Sequence, residues 1–246
     1  MKEIVRIGGI SSSSSTFDSI VDEIICSSCG NSKNIFIHLN LNNFSILKKD
    51  GRLLNRYGTQ CRLFCEGIGM KSAVFLTGQG WNNDTNGTDL LPILFEHLAN
   101  HKMKVFLLGA SRQVIDKTVQ NINNMFPDVI ISGYHHGYIE KSDYSSINGM
   151  ITDASPDLLI LAMGMQKESD FIFENYNNIS AGAIWCVGGL FDFISGNLVR
   201  APKIIRKLRL EWLFRFLLQP KAKFQRIVIT PFWFLKTVLF EHWQKK

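Results

Sequence analysis

Between residues 35 and 189, short apolar runs alternate with longer segments in which apolar residues recur every three or four positions. The runs IFIHLN (35–40), KVFLLG (104–109), DVIISGY (128–134), DLLILAMG (157–164) and AIWCVGG (183–189) have the length and near-continuous apolar character of strands buried on both faces. Segments such as 16–26, 88–101 and 111–125 carry helical periodicity instead. Strand and helix in alternation predict an α/β fold, a Rossmann-like, mostly parallel sheet with helices on both faces. The serine run 11–15 reads as a polar loop before the first helix, and no internal repeat is visible.

Charge divides the chain where the alternation ends. Residues 200–246 hold twelve of the 27 Lys and Arg and only Glu211 and Glu241 among the acids, whereas residues 1–199 hold fifteen basic and nineteen acidic residues. We therefore expect an α/β domain over 1–199 and a basic, aromatic-rich appendage over 200–246 that meets an anionic partner. The apolar fraction of 46% suits a folded core and argues against disorder. No stretch approaches the roughly 20 apolar residues that span a bilayer, and no basic and apolar leader opens the chain, which predicts a cytoplasmic protein. Cys26, Cys29, Cys61 and Cys65 have a spacing open to a four-thiolate zinc site. Free thiols are the better reading, because Cys26 and Cys29 close an amphipathic helix and Cys61 and Cys65 flank an apolar core pattern.

In an open α/β sheet, ligands bind beyond the carboxyl ends of the strands. Glycines stand at four such exits: Gly109, Gly133 with Gly137, Gly164, and Gly188 with Gly189. A glycine turn that leads into a helix lets backbone N–H groups face an anion, so a nucleotide or phosphorylated ligand is expected. Neither G-x-G-x-x-G nor G-x-x-x-x-G-K-[ST] occurs at these turns, which disfavours a dinucleotide enzyme or a P-loop ATPase. D-x-D is also absent, so a leaving diphosphate would need cationic side chains rather than a carboxylate-bound ion. His135 and His136 invite a metal reading, but adjacent residues alternate faces on a strand, and hydrogen bonding to sugar or phosphate is preferred.

The ordered motifs EGIG (66–69), NGTDLL (86–91), VFLLGAS (105–111), FPDVIISGYHHGY (126–138), GMQK (164–167), VGGLFDFISGNLVRAP (187–202) and LEWLFR (210–215) resemble the WecG/TagA/CpsF glycosyltransferases along nearly the whole chain. The resemblance implies a UDP-sugar donor, a polyprenyl-diphosphate-linked acceptor sugar, inversion at the anomeric carbon, and neither cofactor nor metal. It places the general base on Glu66, where the family usually has aspartate, and the acceptor on Asn40 and Asp89. Donor contacts fall on Gly109, Tyr134, His136, Gly137, Lys167, Gly188, Asp192, Arg200, Arg215 and Arg226. In the family's Gly-Met-Pro-Lys-Gln-Glu segment, proline, glutamine and glutamate become Gln166, Glu168 and Ser169, so the donor sugar is open.

Around the basic tail, a helix over about 203–218 would align Ile204, Ile205, Leu208, Trp212 and Phe216 beside arginines and lysines. Guanidinium groups suit a diphosphate clamp, and the run IVITPFWFL (227–235), interrupted by Pro231, suits a bilayer interface. The expected partners are thus the UDP-sugar, the lipid-linked acceptor and the inner face of the plasma membrane, with no nucleic acid and a homo-oligomer left open. Two alternatives stand beside this reading. One is an inactive scaffold in polysaccharide assembly, favoured by the changes at Glu66 and Glu168; the other is a nucleic-acid-binding protein using the basic tail.

Overall fold

The computed structural model describes residues 3–14, 16–30, 33–80, 85–207, 210–218, 220, 224 and 229–243. It opens with a hairpin, β1 (Glu3–Ile7) and β2 (Ile10–Ser14), followed by α1 (Phe17–Cys29), β3 (Asn34–Leu39), α2 (Leu41–Lys49), α3 (Gly51–Gln60), β4 (Cys61–Cys65) and α4 (Ile68–Leu76). Then come α5 (Gly87–Asn100), β5 (Lys104–Gly109), α6 (Arg112–Met125), β6 (Ile130–His135), α7 (Tyr144–Ala154), β7 (Leu158–Ala162), α8 (Met165–Asn175) and β8 (Ala183–Cys186). The short α9 (Leu190–Ile194) and α10 (Lys203–Lys207) lead to α11 (Glu211–Leu218) and α12 (Thr230–Trp243).

Eight strands form one sheet in the order β1-β2-β4-β3-β8-β7-β5-β6, parallel except for the first hairpin. Every residue of β7 and β8 is buried, as expected of central parallel strands covered on both faces. One face packs Phe44, Tyr57, Met70, Ile147, Phe171 and Phe234 from α2, α3, α4, α7, α8 and α12. The other packs Ile24, Leu94, Phe95, Ile115, Ile122 and Phe191 from α1, α5, α6 and α9. In α5 and α6 these buried positions recur at the three- and four-residue spacing that marked the helices in the sequence, and Asn86 and Ser111 cap their first turns. The mostly parallel α/β fold read from the alternation is the fold observed.

Three expectations are corrected. Ser11–Ser14 is not a loop but most of β2, paired with β1 through a turn at Gly8-Gly9, both with positive φ. Ser12 is buried and its hydroxyl donates to the Leu63 carbonyl at 2.9 Å, so a small hydroxyl side chain can line the sheet where a loop was expected. The helix expected over 203–218 is instead two short helices, α10 and α11. The Leu210 amide donates to the Ile205 carbonyl at 3.0 Å, a longer closure than the helical repeat, and Ile204 and Trp212 of the expected stripe are exposed. Pro231 does not break the late apolar run: it is the second residue of α12, which carries on through Trp243.

The thiols lie far from a shared site. Cys26 and Cys29 are exposed on α1, which packs on one face of the sheet, while Cys61 and Cys65 belong to the cluster on the other face. All five cysteines are free, and burial pushes the Cys61 thiol up to about 12.

Candidate active site

All parallel strands end on one edge, and most of the candidate site residues lie along it. β3 ends at Leu39 and hands the chain to Asn40, the N-cap of α2, whose side-chain oxygen accepts from the Asn43 amide at 3.0 Å. Its amide nitrogen points the other way and donates to Glu66 Oε2 at 2.9 Å. Glu66 follows β4, and its own amide continues the ladder to the Leu39 carbonyl at 3.0 Å. Its second oxygen, Oε1, faces the Gly87 amide at 3.4 Å at the start of α5. The carboxylate is thereby oriented by a side-chain amide and a helix N-terminus.

The loop carrying Gly87 is tied down from below. The Thr85 hydroxyl donates to the Cys65 carbonyl at 3.0 Å, and Asn86 caps α5 by accepting from the Asp89 amide at 3.0 Å. A β-carbon on Gly87 would meet His38 Nε2 at 3.7 Å, and that same nitrogen accepts from Trp185 Nε1 at 3.0 Å, so β3, β8 and α5 meet at this point.

Asp89 joins the appendage to this cluster. Asn86 Nδ2 donates to its Oδ2 at 2.7 Å, Arg200 Nη2 to its Oδ1 at 2.5 Å, and Arg206 Nη1 lies 3.8 Å from Oδ1. Burial alone would raise the Asp89 carboxyl, but the hydrogen bonds from Asn86 and Arg200 and the two guanidinium charges outweigh it and hold it below its ordinary value. Arg206 also donates through Nε to the Ala201 carbonyl at 3.0 Å. Asp89, assigned from the sequence to the acceptor, thus contacts Arg200, assigned to the donor. In this structure Asp89 is an anchor for the two arginines.

The glycine turns at the other strands serve different ends. A β-carbon on Gly109 would sit 2.5 Å from the Ala162 carbonyl oxygen, and one on Gly137 would sit 2.8 Å from Gly109 Cα. These two glycines let the turns after β5 and β6 fold onto the exit of β7. Gly188 has φ +55 with open space around it, so it is the backbone conformation that calls for glycine there. Lys167 on α8 lies 5.3 Å from the centre of the Tyr138 ring. Between the β7 and β8 exits sits Glu168, 3% exposed, whose Oε1 accepts from the Met163 and Gly164 amides at 3.0 Å each.

The expected site residues therefore fall into two groups along one edge. Asn40, Glu66, Asp89 and Arg200 form a connected cluster beyond β3 and β4. Gly109, Gly137, Lys167 and Gly188 lie at the exits of β5 to β8. Tyr134 and His136 belong to the edge strand β6 and the turn after it, five strand spacings, about 24 Å, from β4. The His135 and His136 rings do not diverge as alternation on a strand predicts: their centres are 4.2 Å apart, because β6 ends at His135. Burial, and next the neighbouring His135, lower the His136 pKa. Asp192 on α9 accepts from Asn197 Nδ2 at 2.9 Å, so part of its capacity is used locally. The Arg215 side chain and all of Arg226 lie outside the described residues.

Among the described residues, no group of three or more His, Cys, Asp and Glu side chains is placed to hold a metal ion, and no helix is long and apolar enough to cross a membrane. Exposed large apolar side chains concentrate late in the chain, including Phe232, Phe240 and Trp243 on α12. Asn86 and Gly87 stood in the sequence as the start of the NGTDLL motif and Arg206 as one of the tail's guanidinium groups; their contacts with Asp89 and Glu66 left no sequence signal.

Residues 5–246 match the family described as Glycosyl transferase WecG/TagA/CpsF family. A Bacillus subtilis (strain 168) relative named N-acetylglucosaminyldiphosphoundecaprenol N-acetyl-beta-D-mannosaminyltransferase is 34% identical over 182 residues, covering 74% of this chain and 69% of the relative. A Bacillus spizizenii protein of the same name is 31% identical over 167 residues, with 68% of this chain and 63% of the relative covered. A Staphylococcus aureus (strain NCTC 8325 / PS 47) protein, again of that name, is 27% identical over 202 residues, 78% of each chain. The match to the Bacillus spizizenii relative spans a little under two thirds of that protein's length.

Proposed function

From the premise that the chain belongs to the WecG/TagA/CpsF family of glycosyl transferases, we propose that it transfers a hexosyl or N-acetylhexosaminyl group from a UDP-sugar to a polyprenyl-diphosphate-linked sugar. The names of its relatives make undecaprenyl-diphosphate-linked N-acetylglucosamine the first acceptor to try. The observation that carries this reading is Glu66, a carboxylate held by Asn40 and Gly87 at the sheet edge, with Asp89 of the same α5 N-terminus pairing with Arg200 and Arg206.

In the proposed reaction the acceptor hydroxyl donates its hydrogen bond to Glu66. As the hydroxyl oxygen attacks the anomeric carbon, its proton passes to the carboxylate, and the bond from that carbon to the β-phosphate oxygen breaks on the opposite face. The electron pair leaves with UDP, and the anomeric configuration inverts. Developing charge on the diphosphate is met by Lys167, at the start of α8, and by arginines of the appendage, which stand in for a metal ion. The β8 turn lies next to β3, on the side of its group nearest the Glu66 cluster, and the bond to be broken would sit between the two. Functionally we divide the chain into the α/β part, 1–199, and the appendage, 200–246, which meets both the site and the inner face of the membrane.

The test is UDP release from a panel of UDP-sugars with a lipid-diphosphate N-acetylglucosamine acceptor, in excess EDTA. Turnover that persists in EDTA supports the reading; turnover lost there and restored by Mn²⁺ or Mg²⁺ overturns the metal-independent mechanism. Binding of UDP without turnover of any donor would instead favour a scaffold.

A further inference from the structure

Asn40, Asn42 and Asn43 stand at the start of α2, and the first of them donates to Glu66. Behind it lies a contact that the proposed reaction does not use: Asn43 Nδ2 donates to the His38 carbonyl at 2.8 Å. That carbonyl lies at the mouth of the crevice. The Asn34 amide donates to the Gly182 carbonyl, just before β8, and the Leu39 carbonyl accepts from the Glu66 amide, just after β4. Alternation along β3 therefore turns the His38 carbonyl toward β8. The β3–β8 pairing ends at Ile37 and Cys186. Where the two strands part, the Asn43 side chain supplies the hydrogen bond that the neighbouring strand supplies farther down.

Backbone partners fix the orientation of these amides. Asn43 Nδ2 must be the nitrogen, since it faces a carbonyl oxygen, and Asn43 Oδ1 then accepts from Asn42 Nδ2 at 3.3 Å. Asn40 Oδ1 must be the oxygen, since it faces the Asn43 backbone N–H at 3.0 Å. Asn40 is thus bound to present N–H, and not C=O, to Glu66. An ionised carboxylate only accepts, so this is the orientation in which Asn40 can hold it.

We propose that Asn43 is a positioning residue: by tying the first turn of α2 to the open end of β3, it holds the Asn40 amide against Glu66. The His38 carbonyl, Asn43, Asn40 and Glu66 form one line of hydrogen bonds, at 2.8, 3.0 and 2.9 Å. Without the tie, α2 can shift on β3, and the Asn40 side chain follows the Asn43 amide to which it is bonded. A displacement of about 1 Å at a reacting group can cost about 10²-fold in rate.

That the held carboxylate is a base rests on the proposed function; the line of hydrogen bonds does not, and each has its own readout. Asn43→Asp keeps the size of the side chain but sets a carboxylate oxygen against the His38 carbonyl. An acid in the first turn favours the helix, so the fold is retained. Asn43→Ala removes the bond without adding charge. In ¹H–¹⁵N spectra of the full chain, the side-chain amide of Asn40, identified by its loss in Asn40→Ala, should move in both variants toward the position of a solvated amide. Should it stay in place in both, Asn43 does not hold Asn40 and the proposal fails. Turnover should fall about 10- to 100-fold in each variant while UDP affinity stays within about twofold. Unchanged turnover, or an equal loss of UDP affinity, overturns the positioning role. Added to Asn40→Ala, either substitution should cost less than about a further twofold, because its route to Glu66 is already cut. A full additional loss would show that Asn43 acts by another route. If the Asn40 signal moves as described but the wild type turns over no UDP-sugar, the tie stands and the base assigned to Glu66 fails.

Discussion

At position 66 a glutamate stands where the family's motif usually has aspartate, and its surroundings explain how the longer side chain is accommodated. Both oxygens have a donor, Asn40 on one side and the Gly87 amide on the other, so the extra methylene is held rather than left to swing. Replacing Glu66 with Gln keeps the shape and removes the base, and turnover should drop by about 10²- to 10⁴-fold while UDP affinity is retained. Steady-state rates together with UDP titration check this, and unchanged turnover would remove Glu66 from the mechanism. Glu66→Asp should keep substantial activity; if it is as inactive as Glu66→Gln, a structural role gains. These residues were legible because motifs mark them. The motifs did not reveal that Asp89 anchors Arg200 and Arg206, since an ion pair between residues 111 positions apart leaves no local pattern. Nor did they reveal the burial of Glu168, because a carboxylate that finds its donors on the backbone looks in sequence like any surface acid.

At the scale of elements, the strands with the longest apolar runs were the most legible and the hairpin the least. Ile7-Gly8-Gly9-Ile10 carries the two-glycine turn of a hairpin, but the serines after it lack the β-branched and aromatic residues that usually announce a strand. The appendage was legible in charge and not in packing. α12 lies on α2, with the Phe234 ring 4.8 Å from that of Phe44 at an edge-to-face angle of 88°, and Phe234 is buried within the sheet's own core cluster. Phe234→Ala should then cost about 3 to 5 kcal/mol in denaturant unfolding, as for a core aromatic. A loss below about 1 kcal/mol would show α12 to be only loosely attached. At the other end of the appendage, Asp89→Asn and Arg200→Gln should show coupling: each weakens UDP-sugar turnover, and the double variant is little worse than the single ones. Additive losses would mean that the two side chains act separately. The lowered pKa of Asp89 means that its contribution to stability is present above its unfolded value and is lost as pH falls through the carboxylate range.

For the whole molecule, the proposed function asks how a protein whose α12 packs on the core could also meet a lipid-linked substrate. Two faces of the same helix give an answer. Phe234 and Val238 are buried, at 1% and 2% exposure, whereas Phe232, Phe240 and Trp243 are 76%, 62% and 79% exposed. A helix that only completed the fold would have no need of three large exposed aromatics in a segment with a strong excess of positive charge. We expect the outer face to rest among lipid headgroups, with anionic lipid contributing up to about 1 kcal/mol per basic residue near the surface. On the proposed function, the acceptor's sugar would be presented just beyond those headgroups, to the sheet edge that carries Glu66. Changing Phe232, Phe240 and Trp243 together to serine should abolish sedimentation with anionic liposomes and lower turnover of the lipid-linked acceptor. Thermal stability and turnover of a water-soluble acceptor analogue should stay near wild type, because no core contact is removed. Phe234→Ala should do the opposite, lowering stability while the exposed face still binds lipid. If the triple serine variant sediments as the wild type does, the aromatic face has another purpose and lipid contact must come from the basic residues alone. Should it unfold at a much lower temperature, the exposed aromatics pack against the protein in solution and the membrane reading of α12 fails.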